Sequence, residues 1–240
     1  MSTGQSSPDA IVVGGGVIGC TIAYELQKRG VQTLLLEQGQ IGHEASWATA
    51  GIIGPPTAAG LPPHRAELAD RSQKRFADLL SSVKSDSGMD TSYLHIGKVL
   101  VAQTEEQVEA AQSQINWQTT HGFRSNWIEP AEVRELEPMI PHDVLGAYYT
   151  EDGGAMTGHR FTESVAVAFQ ACGGEVREYT PAISILADGD TVTGVETAEG
   201  PIHAETVVLA AGAWTRFLGP SITRAFPVKP VKGQMISVSP

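Results

Sequence analysis

The feature that most constrains this chain is a glycine-rich turn placed directly after its first apolar segment. Residues 10–13 (AIVV) are apolar without alternation, which is typical of a parallel strand covered on both faces. Gly14, Gly16 and Gly19 follow in the spacing G-x-G-x-x-G, and apolar residues then recur at helical spacing as far as Arg29. The pattern predicts a strand, a tight turn and a helix that packs close to the strand.

A second apolar segment and an acidic residue complete the unit. Gly30 ends the predicted helix, residues 31–36 (VQTLLL) form a second strand, and Glu37 follows it. Free N–H groups at a helix N-terminus attract phosphates, and an acidic residue in this place can accept hydrogen bonds from a ribose diol. We therefore predict dinucleotide binding; the alternative is a glycine-rich turn that binds no ligand.

The composition argues against nucleic acids and metal ions as partners. The chain has 240 residues and a formal net charge of -11, without a cluster of Lys or Arg, so we expect no nucleic-acid partner. The two cysteines, Cys20 and Cys172, show no C-x-x-C spacing and the histidines show no ligand spacing, so no metal site is expected. Cys20 is expected to be a small buried residue. The polar start and the short apolar run after it predict a soluble cytoplasmic protein without a signal peptide or membrane span.

The β-α-β unit alone leaves a nicotinamide and a flavin dinucleotide open. Residues 39–56 form a long stretch rich in small side chains, in which Ser46 and Thr49 could hydrogen-bond phosphate or ribityl oxygens. A simple nicotinamide dehydrogenase would usually enter another helix sooner. A flexible surface loop is the plain alternative, and the apolar Trp47 speaks against it.

Later segments return to the same sheet. Residues 182–204 have the rhythm of a three-stranded meander, with turns at a DG and an EG pair. A buried strand over 206–210 follows and ends in small residues at 210–212, whose backbone could again approach a cofactor. Further strands are predicted over 94–103, 146–156 and 227–238, and a helix with a Thr-x-x-Gln capping box begins at the TEEQ segment.

Four features follow one another along the chain: GGGVIG, the Glu after the second strand, SWATAGI and VVLAAGAW. With these features in this order, the chain resembles the FAD-dependent D-amino-acid oxidase superfamily, most of all the glycine oxidases of thiazole biosynthesis. The resemblance implies an α/β fold with a Rossmann-like FAD-binding domain of the glutathione-reductase type and an inserted α+β substrate domain, C-terminally incomplete. Each domain would be assembled from two stretches of the chain. The FAD-binding domain would take residues 1–87 and 150–218, and the substrate domain would take residues 88–149 and begin its second stretch at 219–240.

The resemblance also implies which residues hold FAD. The glycine turn would lie at the pyrophosphate, Glu37 at the adenosine ribose, and the loop around Ser46 at the ribityl chain and the ring. In some relatives a His in a Trp-His-Ala-Ala-Gly loop bonds the flavin covalently; Ala48 stands there in this chain, so the FAD is expected to dissociate. The implied cofactor-binding residues are Gly14, Gly16, Val17, Ile18, Gly19, Glu37, Gln38, Ser46, Thr49, Ala50, Gly51, Ile52, Ala182, Ala211 and Gly212.

The implied activity is oxidation of a small amino acid or secondary amine, such as glycine, sarcosine or a D-amino acid. The reaction would consist of hydride transfer to flavin N5, hydrolysis of the resulting imine and reduction of O2 to H2O2. The enzyme would act in thiamine thiazole biosynthesis. No side chain is predicted to be catalytic, since the cofactor carries out the oxidation. Three alternative functions stay open: a carrier-linked D-amino-acid or dimethylglycine-type dehydrogenase, a non-catalytic FAD-binding subunit, and a nicotinamide dehydrogenase. The protein could also form a homo-oligomer. Because family members usually continue well beyond Pro240, we expect a fragment that lacks the substrate-binding C-terminal region.

Overall fold

The described residues of the computed structural model form two compact units. The description covers residues 7–56, 62–218 and 227–236. Unit 1 takes the described residues of Met1–Ala50, Ser82–Ser92 and Thr157–Pro240, and unit 2 those of Gly51–Ser81 and Tyr93–Met156. Unit 2 takes the described residues of 51–81, which the prediction gave to the FAD-binding domain, and unit 1 takes the described residues 227–236, which the prediction gave to the substrate domain. The assignment of one domain to the cofactor and another to the substrate stays a prediction.

Strands and helices are mixed along the whole described chain, which confirms the predicted α/β class. In chain order the elements are β1 (Ala10–Val13), α1 (Val17–Gln27), β2 (Thr33–Leu36), β3 (Ile52–Ile53), α2 (Pro63–Ser87), β4 (Tyr93–Leu94), β5 (Lys98–Ala102), α3 (Glu105–Thr120), β6 (Ser125–Ile128), α4 (Pro130–Leu136), β7 (Gly146–Thr150), β8 (Gly154–Met156), α5 (Gly158–Ala171), β9 (Glu175–Arg177), β10 (Ala182–Asp188), β11 (Thr191–Thr197), β12 (Gly200–His203), β13 (Thr206–Leu209) and a 3₁₀ helix (Gly212–Leu218).

Unit 1 is built on a parallel sheet with the strand order β13-β1-β2-β9. β1 lies between β2 and β13, and its register with β2 runs from Ala10 opposite Thr33 to Val13 opposite Leu36. All residues of β1 and β2 are buried, which explains why these strands are apolar without alternation. Because the strands are parallel, the turn after β1 and the residue after β2 meet at the same edge of the sheet.

Helices and a meander cover this sheet. α1 packs against α5, in which Val165 and Phe169 are fully buried. β10, β11 and β12 form the predicted antiparallel meander, and Gly189 supplies the positive φ of +58° in its first turn. One hydrophobic cluster joins the meander to the sheet; its buried members are Ile11, Val13, Leu34, Leu36, Val195, Ala204 and Leu218.

Unit 2 contains two small antiparallel sheets among its described residues, β5-β7-β6 and β3-β8-β4. α3 begins with the predicted capping box, in which Thr104 Oγ1 accepts a hydrogen bond from Gln107 N–H and Gln107 Oε1 accepts one from Thr104 N–H. α3 packs against Tyr148 of β7, and α4 packs against Ala147 of the same strand. Consecutive residues of a strand face opposite sides, so the two helices cover the two faces of this sheet.

Three strand predictions are wrong. The strand predicted over 94–103 is divided into β4 and β5, because the chain is not extended at residues 95–97, where Gly97 has a φ of +75°. The strand predicted over 146–156 is divided into β7 and β8, because the chain bends at residues 151–153 and Asp152 N–H donates to Thr150 Oγ1 instead of to a neighbouring strand. The strand predicted over 227–238 does not form in the described residues 227–236, which are largely exposed and without regular structure. Two prolines in that segment lack the N–H donor that a ladder needs.

Candidate cofactor site at the glycine turn

The turn after β1 is packed so closely that two of its motif glycines accept no side chain. Gly14 has a φ of +111°, and a Cβ added to it would lie 2.5 Å from the carbonyl oxygen of Ala210. A Cβ added to Gly19 would lie 1.8 Å from the carbonyl oxygen of Gly14. Backbone hydrogen bonds fix the same turn, since Gly14 N–H donates to Leu36 O and Ala210 N–H donates to Val13 O, each over 2.8 Å. Contacts within the protein therefore require both glycines.

Gly16 and the first turn of α1 present backbone N–H groups instead. Among the described residues, only the hydroxyl oxygen of Ser46, at 3.3 Å, lies within 4 Å of a Cβ added to Gly16. Ser46 Oγ accepts a hydrogen bond from Val17 N–H over 2.9 Å. The N–H groups of Gly16, Ile18 and Gly19 have no acceptor within the described chain, and the apolar Ile18 is 66% exposed. The N-terminus of α1 thus offers donors, a positive dipole end and apolar surface to a ligand.

The carboxylate of Glu37 lies beside the turn and is bound to it. Gly15 N–H donates to Glu37 Oε2 over 2.6 Å, and Gly39 N–H donates to Glu37 Oε1 over 2.8 Å. Glu37 is only 9% exposed, so these charge-assisted hydrogen bonds hold a buried carboxylate in one orientation. Each carboxylate oxygen has a second lone pair, which can accept a hydrogen bond from a ribose hydroxyl.

Cys20, on the first turn of α1, is a structural residue. It is fully buried, and its Sγ lies 3.4 Å from the carbonyl oxygen of Gly15. Burial first, and the nearby Glu37 carboxylate second, raise the pKa of the Cys20 thiol to about 12. The thiol therefore stays protonated at neutral pH and does not act as a nucleophile there.

The loop of residues 43–50, here called the Ser46 loop, has fixed contacts with α5 although most of its side chains are exposed. A Cβ added to Gly158, the first residue of α5, would lie 2.2 Å from Thr49 Cγ2 and 2.5 Å from the carbonyl oxygen of Ser46. The backbone of the loop and the first turn of α5 therefore touch directly.

Trp47 of the Ser46 loop contacts two imidazole rings, one stacked on it and one tilted. The ring centroids of Trp47 and His159 are 4.2 Å apart at an interplanar angle of 25°, and those of Trp47 and His43 are 4.6 Å apart at 47°. Trp47 nevertheless remains 49% exposed. A cavity of about 380 Å³ adjoins this stack; its lining residues are Gln40, Ile41, His43, Trp47, His159, Glu163 and Glu178.

The remaining residues of the implied site are spread over both units. In unit 1, Ala211 lies beside the glycine turn, since its Cα would be 3.0 Å from a Cβ added to Gly14. Gly212 is exposed and has a φ of +50°. Ala182 is half-buried and packs against the hydrophobic cluster of unit 1. Gln38 and Ala50 are also in unit 1 and are exposed.

Gly51 and Ile52 belong to unit 2. Gly51 has a φ of +70°, and a Cβ added to it would lie 1.8 Å from the carbonyl oxygen of Met156. Ile52 pairs with Ala155 of β8 and is 62% exposed. Direct contacts within unit 1 thus bring together the glycine turn, Glu37, Ser46 and Ala211, whereas Gly51 and Ile52 are held by strand pairing in unit 2.

Sequence reasoning missed two residues of this region. Gly15, outside the motif spacing, binds Glu37 through its N–H, and a Cβ on it would lie 2.5 Å from Ile41 Cδ1. The run of three glycines was a usable signal. The other is His159, the second residue of α5. Its contact with Trp47 joins distant regions of the chain and leaves no local pattern in the sequence.

Within the described ranges, no group of three or more His, Cys, Asp or Glu residues could hold a metal ion. Likewise, no helix in the described portion of the chain is long and apolar enough to cross a membrane.

The donor set of the glycine turn fits an adenine dinucleotide. Backbone N–H groups at the α1 N-terminus suit a pyrophosphate, and the Glu37 carboxylate suits a ribose. A parallel sheet with this turn, this open helix end and this acidic residue defines the class of dinucleotide-binding proteins. The chain belongs to the DAO family of FAD dependent oxidoreductases, whose model matches residues 9–240. The family match confirms the predicted superfamily and its cofactor, FAD.

Comparisons with known proteins give the range of relatives. The chain is similar to glycine oxidase of Bacillus licheniformis, at 33% identity over 230 residues that cover 96% of this chain and 61% of that protein. It is similar to the mitochondrial regulatory subunit of pyruvate dehydrogenase phosphatase of Mus musculus, at 30% identity over 211 residues that cover 87% and 23% respectively. The crystal structure of glycine oxidase from Bacillus cereus ATCC 14579 superposes with a TM-score of 0.78 at 32% identity, covering 88% of this chain and 57% of that one. The chain therefore spans about three fifths of the glycine oxidases it matches.

Proposed function

We propose that this protein is an FAD-dependent oxidase of a small amino acid or secondary amine, of the glycine, sarcosine or D-amino-acid kind. The observation that carries the proposal is the open N-terminus of α1 beside the bound carboxylate of Glu37, in a chain that is 33% identical to a glycine oxidase. The site geometry supports binding of the cofactor, and the relatives support the choice of substrate class.

The residues of unit 1 take separate roles in this proposal. The N–H groups of Gly16, Ile18 and Gly19 bind the pyrophosphate, because they have no acceptor within the described chain. Glu37 binds the adenosine ribose through the second lone pairs of its oxygens. Ser46 fixes Val17 at the helix end.

The other implied contacts also belong to the proposal. Thr49, Ala50, Gly51 and Ile52 approach the ribityl chain and the ring, and Ala182, Ala211, Gly212 and Gln38 complete the cofactor contacts. FAD, when bound, supplies the two-electron oxidation of the substrate C–N bond, and the protein supplies binding and orientation. No side chain of this chain is proposed to be catalytic. Ala48 replaces the histidine that bonds the flavin in some relatives, so we expect FAD to be held without a covalent bond.

A non-catalytic flavin-binding subunit is the second candidate. One observation favours it: the chain is 30% identical over 211 residues to a protein named as a regulatory subunit. A carrier-linked dehydrogenase would share the same cofactor site and differ only in its electron acceptor.

One set of measurements separates these functions. The purified protein is expected to show flavin absorbance, and denaturation is expected to release FAD into the supernatant. Anaerobic mixing with glycine, sarcosine or D-alanine should bleach the flavin, and admission of air should produce H2O2. Bleaching without peroxide identifies a dehydrogenase. This chain spans about three fifths of the glycine oxidases, so bound FAD that no amine bleaches identifies the non-catalytic subunit only in a chain extended to their full length. A folded protein that binds no FAD contradicts the proposal.

The cellular setting belongs to the same proposal. We expect a cytoplasmic enzyme that acts in thiamine thiazole biosynthesis, and size-exclusion chromatography coupled to light scattering would establish whether it forms a homo-oligomer.

A further inference from the structure

We infer that His159 is a positioning residue for the cofactor site: its stacking on Trp47 holds the Ser46 loop against α5 and thereby keeps the Ser46 hydroxyl at the N-terminus of α1. This inference rests on the proposed function, because the N-terminus of α1 is the proposed pyrophosphate site.

The ring contact is close and nearly parallel. The centroids of Trp47 and His159 lie 4.2 Å apart at 25°, within the range in which aromatic rings attract each other. His43 contacts the same indole at 4.6 Å, but it belongs to the Ser46 loop itself and moves with it. Of these two imidazoles, only that of His159 ties the loop to another element.

The backbone contact beside the stack explains why a side chain is needed. Gly158 approaches Ser46 and Thr49 so closely that its Cβ would overlap with both. Gly158 has no side chain that could hold the loop. Trp47 is half exposed to water, so burial alone does not hold it in place. The adjacent His159 therefore supplies the side-chain contact that keeps the loop in place.

The Ser46 loop transmits this position to the helix end. Ser46 precedes Trp47 directly, and its hydroxyl accepts the hydrogen bond from Val17 N–H over 2.9 Å. α5 is a firm support, because its Phe161, Val165 and Phe169 side chains are buried. Loss of the stack would remove the side-chain contact between the loop and α5 and place the hydroxyl less firmly beside Gly16.

The test is a comparison of affinities by isothermal titration of the cofactor-free protein with FAD, ADP and adenosine. His159→Ala should weaken FAD and ADP about three- to tenfold, the range expected for one aromatic pair, and leave adenosine unchanged. His159→Phe keeps a ring at this place and should restore the affinity for ADP. His203→Ala is the matched control, because His203 is an exposed histidine on the meander of unit 1.

Coupling to Ser46 separates positioning from a general loss of structure. In a Ser46→Ala background, His159→Ala should cause little further loss of ADP affinity, since the hydroxyl that it positions is absent. Where His159→Ala gives no folded protein, Trp47→Ala removes the same stack from the loop side and carries the same expectation.

Two outcomes would overturn the inference alone: unchanged ADP affinity in His159→Ala, or an equal loss for ADP and adenosine. A folded wild-type protein that binds neither FAD nor ADP would overturn the proposed function and this inference together.

Discussion

The two ends of helix α1 are fixed by opposite means. At the N-terminal end, bare backbone meets bare backbone, as in the contact of Gly19 with the carbonyl oxygen of Gly14. At the C-terminal end, side chains form a polar cluster: Tyr24 Oη donates to Asp86 Oδ2 over 2.5 Å, and Lys28 Nζ donates to the same oxygen over 2.9 Å. Both ends are held firmly, yet only one of them keeps backbone donors without an acceptor among the described residues.

This difference identifies the ligand end of the helix. At the C-terminal cluster the polar groups satisfy each other, and Cys172 Sγ lies 3.8 Å from the same Asp86 oxygen. At the N-terminal turn, glycine contacts hold the backbone without using its N–H groups, so those groups remain for a ligand. The cluster at the far end is a structural anchor.

The largest effect is expected from Gly19→Ala, which tests the backbone contact at the N-terminal end. The added methyl group would meet a backbone oxygen that cannot move away, so we expect a loss of about 3 kcal/mol in the free energy of unfolding. Urea denaturation followed by circular dichroism measures it. Gly233→Ala is the control, because no atom of the described residues lies near its Cβ, and it should change stability by less than about 0.5 kcal/mol. Equal stability of the two variants would contradict this packing argument.

Glu37→Gln is expected to have the next largest effect. An amide has only one acceptor oxygen, so one of the two N–H groups that now bind Glu37, those of Gly15 and Gly39, would face a donor. We expect a loss of about 2 kcal/mol in stability and a weaker affinity for adenosine. Calorimetric unfolding and titration with adenosine measure the two effects. A variant as stable as the wild type would show that the carboxylate does not hold the turn.

Asp86→Asn tests the C-terminal end and adds a pH signature. The hydrogen bond from Tyr24, and then that from Lys28, lower the pKa of Asp86 below its usual 3.8. A lowered pKa means that the charged form stabilises the fold above pH 3.8, and that this contribution is lost as the pH falls through the lower value of the folded state.

The expected cost of Asp86→Asn at neutral pH is about 1 kcal/mol, with no change in FAD affinity. Unfolding curves of both proteins at several pH values should converge in acid. A constant difference down to the lowest pH would contradict the assignment, and so would weakened FAD binding.

Ser46→Ala should have the smallest effect on stability. The variant removes one hydroxyl acceptor from Val17 N–H, at a cost of about 0.5 kcal/mol, because the N–H lies at a partly exposed helix end where water can replace the hydroxyl. Thermal unfolding measures this loss, and Ser81→Ala, on α2, is a control of the same chemistry. A loss as large as that of Glu37→Gln would mean that the Ser46 loop supports the fold as well as the site.

The sequence predicts local features of this molecule well. β1, the turn and α1 follow each other without a break, so Ala10, Gly14 and Val17 mark their bounds in the printed chain. Glu37 is predictable for the same reason, since it ends the next strand. The segment at 227–236 misled the prediction because apolar residues between prolines resemble a strand, while the prolines cannot complete a ladder.

Contacts between distant residues were beyond such reasoning. Nothing local to Trp47 indicates His159, and nothing local to Tyr24 indicates Asp86. The bond from Gly15 N–H to Glu37 likewise depends on how two strand ends meet. The place of the turn could therefore be predicted, whereas the side chains that support it could not.

Amide hydrogen exchange along α1, measured by NMR with and without FAD, tests the central claim most directly. The account predicts that FAD slows exchange at Ile18 and Gly19, whose N–H groups have no acceptor in the described chain, and leaves Leu26 and Gln27 at the far end unchanged. Saturating FAD that binds without slowing exchange at Ile18 and Gly19 would contradict it.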